Sequence, residues 1–158
     1  MKLIDVLKPE YIKIPLVSQT KEEAIRELVD LLAQHQLFQD VDAVFQAVLD
    51  REKIMTTGVG RGVAIPHCKK AECSKFAIAL GIRPEGVDFK SIDNQPAKVI
   101  FLLIGPDNNP GMHIRLLSRI SRLISKDSLR DALLTSSSAD KAYLILKNEE
   151  EKYFEIAP

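Results

Sequence analysis

The chain has 158 residues, the length of one ordinary domain. Its 22 Lys+Arg offset 22 Asp+Glu, which excludes a nucleic-acid binder that relies on a strongly basic surface. Hydrophobic residues at 46% and charged residues at 28% exclude a disordered chain. A chain of this size buries roughly two-thirds of its unfolded surface. It needs no disulfide framework, so Cys68 and Cys73 read as cytosolic thiols.

Charges recur through Met1–Glu10, which lacks the apolar centre of an export signal. The longest apolar run, Val99–Ile104, is too short to span a bilayer. The expectation is a cytoplasmic protein with no integral membrane segment and no internal repeat. One domain is expected over residues 1–148, followed by a polar tail over 149–158.

In chain order, Ile12–Val17 is a short strand candidate. Thr20 and Glu23 match a capping box, and Ala24, Ile25, Leu28, Leu31 and Leu32 recur at helical spacing to about Gln34. A second helix starts near Asp40 or Asp42, carries Val44, Phe45, Val48 and Leu49, and ends near Lys53. The stretch Gly58-Val-Gly-Arg-Gly62 then leads into Val63-Ala64-Ile65, which Pro66 stops. Phe76–Ile82 and Lys98–Ile104 are nearly continuous apolar runs, as in strands covered on both faces. Pro84-Glu85-Gly86 and Asp93–Pro96 between them are turn chemistry. Asn109-Pro110 reads as an N-cap and a first helical proline, with Leu116, Leu117, Ile120, Leu123 and Ile124 on one face behind it. Asp127 caps a short helix to Leu134, and Ser137 or Ser138 starts a last helix. Helices around a mostly buried sheet give an α/β (α+β) fold: a single three-layer α/β/α domain with a small mixed β-sheet.

Candidate chemistry rests on the histidines. His35 ends the first long helix between glutamines and reads as a solvated residue. His67 follows Pro66 at a strand end, where reactive groups are common, and an imidazole serves there as nucleophile or base. His113 lies in the first turn of the helix opened by Pro110. Free N–H groups and the dipole favour a neutral ring there, able to donate to an anion. The glycine stretch is no dinucleotide fingerprint, because a helix precedes it and a proline-stopped strand follows. It reads as a close backbone approach presenting Val63–His67, with a possible nest of N–H groups. Adjacent His67 and Cys68 with Cys73 are poorly spaced for zinc, so no metal and no cofactor are expected. Asp88 and Asp93 flank turns and read as solvated carboxylates.

Gly58-Val-Gly-Arg-Gly62-Val-Ala-Ile-Pro-His67 closely resembles the active-site signature of enzyme IIA in the fructose/mannitol (type 2) family of the bacterial phosphoenolpyruvate-dependent phosphotransferase system. Asp50-Arg51-Glu52, Gly86-Val-Asp-Phe89, Ile92-Asp-Asn-Gln-Pro96 and His113-x-x-x-Leu117 are similar to the same family, in order, from Met1 to about Leu146. The resemblance implies a three-layer domain with a mixed sheet. It implies that His67 takes a phosphoryl group on Nε2, that His113 is the second active-site histidine, and that Arg51 contacts the phosphoryl group. It also implies phospho-HPr or its nitrogen-type paralogue as donor, and a IIB domain or a regulatory target as partner. Asn94 looks like the nitrogen-regulatory branch, whereas sugar enzymes more often resemble Ile-Asp-Gly; the lack of fused IIB or IIC regions fits that branch. The alternatives are a sugar IIA for fructose- or mannitol-type uptake and a non-catalytic module on the same fold, against which both histidines argue. One position departs from the pattern: Cys68 stands where glycine commonly follows the active histidine. The departure places a thiol next to the nucleophile in sequence. Partner docking is expected on apolar residues near the glycine loop, Met55 and Val59.

Overall fold

The computed structural model describes residues 1–154 and bears out the fold class: a mixed sheet between two helical layers. The last residues of the expected tail, 155–158, lie outside the described residues.

The chain opens with a short helix α1 (Leu3–Val6), a 3-10 turn at Pro9–Tyr11, and strand β1 (Ile12–Lys13). β1 is shorter than the apolar run Ile12–Val17, because Pro15 brings no N–H to the ladder. Thr20 caps α2 (Lys21–Ala33) by accepting from the Glu23 N–H, and Asp40 caps α3 (Val41–Ile54) by accepting from the Ala43 N–H. A hairpin of β2 (Gly58–Gly60) and β3 (Val63–Ala64) follows, then β4 (His67–Lys69), β5 (Ala77–Val87) and β6 (Ala97–Gly105). Helices α4 (Pro110–Ile124), α5 (Asp127–Thr135) and α6 (Ala139–Phe154) complete the described chain. Asn109 caps α4 as expected, and Lys126 rather than Asp127 is the residue before α5.

The sheet runs β1-β5-β6-β3-β2, with β4 also on β6. The β5–β6 and β2–β3 pairs are antiparallel, while β1–β5, β3–β6 and β4–β6 are parallel. The apolar runs split cleanly by the two-residue period of a strand. Ala77, Ala79, Ile100, Leu102 and Ile104 face the core under α2 and α3. Ile78, Leu80, Val99, Phe101 and Leu103 face the core under α1, α4, α5 and α6.

Three expectations are corrected. Pro84-Glu85-Gly86 is not a turn: β5 runs through it, with a register irregularity between Ile82 and Val87 that absorbs the proline. The glycine stretch is a β-hairpin and not a nest, since the Gly58 N–H goes to Thr56 Oγ1 and the Arg61 N–H to Asp93 Oδ2. Gly60 (φ +94°), Arg61 (φ +58°) and Gly62 (φ +77°) make its turn, a left-handed run that glycine makes possible. Third, α6 carries on into the expected polar tail over 149–158, as far as Phe154. It continues through Glu150, whose buried carboxylate accepts from the N–H groups of Leu3 (2.6 Å) and Ile4 (3.2 Å) and pairs with Arg119 (3.2 Å). Among the described residues no helix is long and apolar enough to cross a membrane.

Candidate functional site

Pro66 ends β3 but does not end the ordered backbone. His67 starts β4, whose residues pair in parallel with the end of β6, His67 opposite Leu103 and Lys69 opposite Gly105. The histidine therefore stands on a strand and not in a loop, at the end of β6 from which the chain turns into α4. Its ring is half-buried. Nδ1 lies 2.9 Å from the Ile65 carbonyl oxygen. A carbonyl only accepts, so Nδ1 carries the proton and Nε2 is left with its lone pair. Burial, then the charges of Arg51 and His113, pull this imidazole below its ordinary value of 6.5, against the Ile65 hydrogen bond and the Glu52 carboxylate. At neutral pH the ring is uncharged, with a lone pair on Nε2.

The sequence-predicted partners lie within electrostatic reach of it. Arg51 and His113, from the last turn of α3 and the first turn of α4, both act electrostatically on His67. Arg51 donates from Nη1 to the Met55 carbonyl (3.3 Å), a bond that orients the guanidinium across the helix end. His113 is 1% exposed, its ring edge-on to Phe76 with centroids 4.7 Å apart. Gly105 makes room for both rings: a Cβ there would fall 2.3 Å from Phe76 and 3.1 Å from the His113 ring. Burial, with Lys69 nearby, pulls His113 below 6.5 against its hydrogen bond to Pro106.

The tautomer of His113 differs from expectation. Its Nε2 lies 2.9 Å from the Pro106 carbonyl oxygen and so must donate to it. The ring's proton is spent on the protein, and Nδ1 is buried with no hydrogen-bond partner. A neutral His113 in this pose has no N–H to offer an anion. Sequence placed the ring at a helix start, but the Pro106 carbonyl reaches it only through the β6–α4 turn.

The Cys68 thiol, expected beside His67, points away from it. Strand alternation sends Cys68 into the core under α2 and α3, where Cys73 also lies. Cys68 is not among the positive-φ residues, so the site does not need a glycine-type backbone there. Burial pushes the Cys68 thiol up to about 12 and the Cys73 thiol to about 11, which keeps both protonated and inert. Among the described residues no group of three His, Cys, Asp or Glu side chains converges as a metal site would require. His35 lies on the surface beyond α2 against Tyr11, apart from this site.

Sequence reasoning passed over one residue in the site's frame. Glu52, the neighbour of Arg51, is 6% exposed and bonds to Lys21 and Thr57. Its helical position next to the solvent-facing Asp50 and Arg51 hid its burial.

Comparison with known proteins places this arrangement. The family model described as "Phosphoenolpyruvate-dependent sugar phosphotransferase system, EIIA 2" matches residues 5–149. The chain is 36% identical over 152 residues to the "PTS system fructose-specific EIIABC component" of Bacillus subtilis, covering 96% of this chain and 24% of that protein. It thus spans about a quarter of that relative's length. It is 38% identical over 129 residues to the "PTS system fructose-specific EIIA component" of Haloferax volcanii, covering 82% of this chain and 84% of that one. It is 36% identical over 146 residues to the "Nitrogen regulatory protein" of Bradyrhizobium diazoefficiens, covering 92% and 95%. Among solved structures, nitrogen regulatory protein IIA-Ntr from Neisseria meningitidis matches with a TM-score of 0.84 at 32% identity, over 90% of this chain and 97% of that one. Enzyme IIAMTL in its complex with phosphorylated IIBMTL from Escherichia coli matches with a TM-score of 0.78 at 26% identity, over 90% and 99%. The chain therefore belongs to the EIIA type 2 family of the phosphoenolpyruvate-dependent sugar phosphotransferase system and is a phosphotransferase component.

Proposed function

We propose that this chain is a histidine phosphocarrier that accepts a phosphoryl group on Nε2 of His67 from phospho-HPr or its nitrogen-type paralogue. The observation that carries the reading is the Nδ1–H···O=C bond to Ile65, which leaves Nε2 as the one basic nitrogen of a neutral ring. In transfer, the Nε2 lone pair forms the new N–P bond as the donor's N–P bond breaks. The donor imidazole keeps the electron pair of the broken bond, and the proton on Nδ1 of His67 stays where it is. The loose transition state carries its charge on the equatorial oxygens, which need positioned donors. Arg51 supplies a planar fork. His113 supplies a donor only when Nδ1 takes up a proton, which a phosphoryl dianion beside it favours.

The protein acts as a nitrogen-type regulatory IIA, through a partner that distinguishes its two phosphorylation states. Support comes from the match to the Neisseria IIA-Ntr structure over nearly its whole length. Asn94 adds less than its residue type suggested. Its φ of +59° is a conformation that asparagine and glycine both accept, so the backbone accounts for it in either branch. The 38% identity to a fructose-specific EIIA favours the second reading, a sugar IIA that passes the phosphoryl group to a IIB domain.

Incubation with the general phosphotransferase proteins and phosphoenolpyruvate, followed by peptide mapping, tests the carrier role. One acid-labile phosphoryl group on His67 is expected, absent in His67→Ala. Label that persists in that variant, or that survives acid, contradicts it.

A further inference from the structure

A continuous hydrogen-bond chain leads from a buried carboxylate to the acceptor ring. Glu52 Oε1 accepts from Thr57 Oγ1 (2.5 Å) and Oε2 from the Thr57 N–H (2.8 Å). The Thr57 carbonyl accepts from the Ile65 N–H (3.0 Å). The Ile65 carbonyl accepts from Nδ1 of His67 (2.9 Å). Lys21 Nζ, 2.8 Å from Oε2, supplies the countercharge, so the carboxylate is paired as a buried charge must be. Lys21 also reaches Thr56 Oγ1, which donates to the Phe89 carbonyl, and this ties the same loop to the strand side of the domain.

The chain explains more than stability. Thr57 sits at the point where α3 gives way to β2, and its bond to the Ile65 N–H extends the β2–β3 register of Gly58 opposite Ala64 by one pair. Two bonds from one carboxylate, to the Thr57 N–H and Oγ1, anchor that first residue of the hairpin. The Ile65 carbonyl in turn decides which nitrogen of His67 holds the proton. Glu52 and Arg51 are neighbours in the last turn of α3, one turned inward and one outward. The inward residue reaches Thr57 and the outward one reaches the Met55 carbonyl at the helix end. Their charges also oppose each other at His67, where Arg51 and His113 disfavour and Glu52 favours the protonated ring.

We propose that Glu52 is a positioning residue for the acceptor: through Thr57 and Ile65 it holds the proton of His67 on Nδ1 and keeps Nε2 bare for phosphoryl transfer. The inference rests on His67 being the acceptor.

The test uses the full chain with 15N-labelled histidine. Glu52→Gln keeps the side-chain shape but loses the charge and one of the two acceptor oxygens. In the unphosphorylated variant, imidazole 15N shifts are expected to show His67 leaving the single Nδ1–H tautomer for a mixture, with a lower pKa than in the wild type. The kcat for transfer from the phosphorylated donor should fall by about 10–100-fold, by analogy with the loss of the outer partner of a metal-bound histidine, with KM for the donor unchanged. Thr57→Val, which removes only the Oγ1 bond, should move both readouts the same way by less. It carries the test if Glu52→Gln fails to fold by circular dichroism. A folded Glu52→Gln, or Thr57→Val in its place, with wild-type tautomer and wild-type kcat overturns the proposal and leaves Glu52 a purely structural carboxylate. The tautomer readout needs no phosphoryl donor. Absence of phosphoryl transfer to wild-type His67 would therefore sink the carrier reading by itself, while the 15N shifts would still decide the role of Glu52.

Discussion

At the scale of single residues, the site is a set of proton assignments. His67 and His113 each give one ring proton to a backbone carbonyl, Ile65 and Pro106, through opposite nitrogens. The unprotonated nitrogen is Nε2 on the first and the buried Nδ1 on the second, so in the proposed role one ring bonds phosphorus and the other takes a proton. His113 starts below 6.5 because it is buried, and a phosphoryl dianion on His67 acts in the opposite sense. The His113 pKa is therefore expected to rise on phosphorylation, with proton uptake in the interval between the two values. An NMR titration of both forms reads this, and an unchanged His113 pKa would contradict it. His113 donates only after taking up a proton, so His113→Ala should slow transfer by less than the about 10²–10³-fold typical of losing a preorganised donor, while His67 is still labelled at long times. Arg51→Lys should also impair transfer, because an ammonium cannot reproduce the two-pronged contact. A rapid-quench time course on folded variants measures both.

Among the elements, the ends matter more than the middles. α3 delivers Arg51 and Glu52 in its last turn, α4 delivers His113 in its first, and β4 exists to hold His67 against β6. The middles were legible in the sequence. The Thr20, Asp40 and Asn109 caps and the apolar faces behind them sit where spacing put them. β4 was not legible, because His-Cys-Lys has no strand pattern of its own and is extended only by pairing with β6. The continuation of α6 was hidden for a related reason. Asn148-Glu-Glu-Glu-Lys152 reads as a solvated tail, yet Glu150 is 2% exposed because α1 and Arg119 need its oxygens. Glu150→Gln sets an amide NH2 against an α1 N–H and removes the charge of the half-buried pair with Arg119. It should cost about 2–3 kcal/mol of unfolding free energy by denaturant titration. A loss below about 0.5 kcal/mol would show that α1 docks by its leucines alone.

For the whole molecule, the proposed carrier role requires a surface that meets a partner and leaves it. Ile54, Met55, Val59 and Ile92 are exposed apolar residues gathered where α3 passes into β2, and the Ile92 N–H bonds to the Gly58 carbonyl beside Val59. Exposure of 67% removes core packing as the explanation for Met55. As a docking residue, Met55→Asp should leave the melting temperature unchanged and weaken transfer by raising KM for the donor. Unaltered KM would move the docking face elsewhere. Family membership was legible because the motif residues are local in sequence. The inward reach of Glu52 and the proton on each ring were not, because the carbonyls of Thr57, Ile65 and Pro106 become partners only in the fold.

In the proposed carrier, the fold reserves Nε2 of His67 for phosphorus. Phosphorylating the 15N-histidine-labelled chain and recording phosphorus–nitrogen couplings tests this without mutation. A single coupling is expected, to Nε2 of His67, with Nδ1 still protonated. Phosphorus on Nδ1 of His67, or on any other residue, would contradict it.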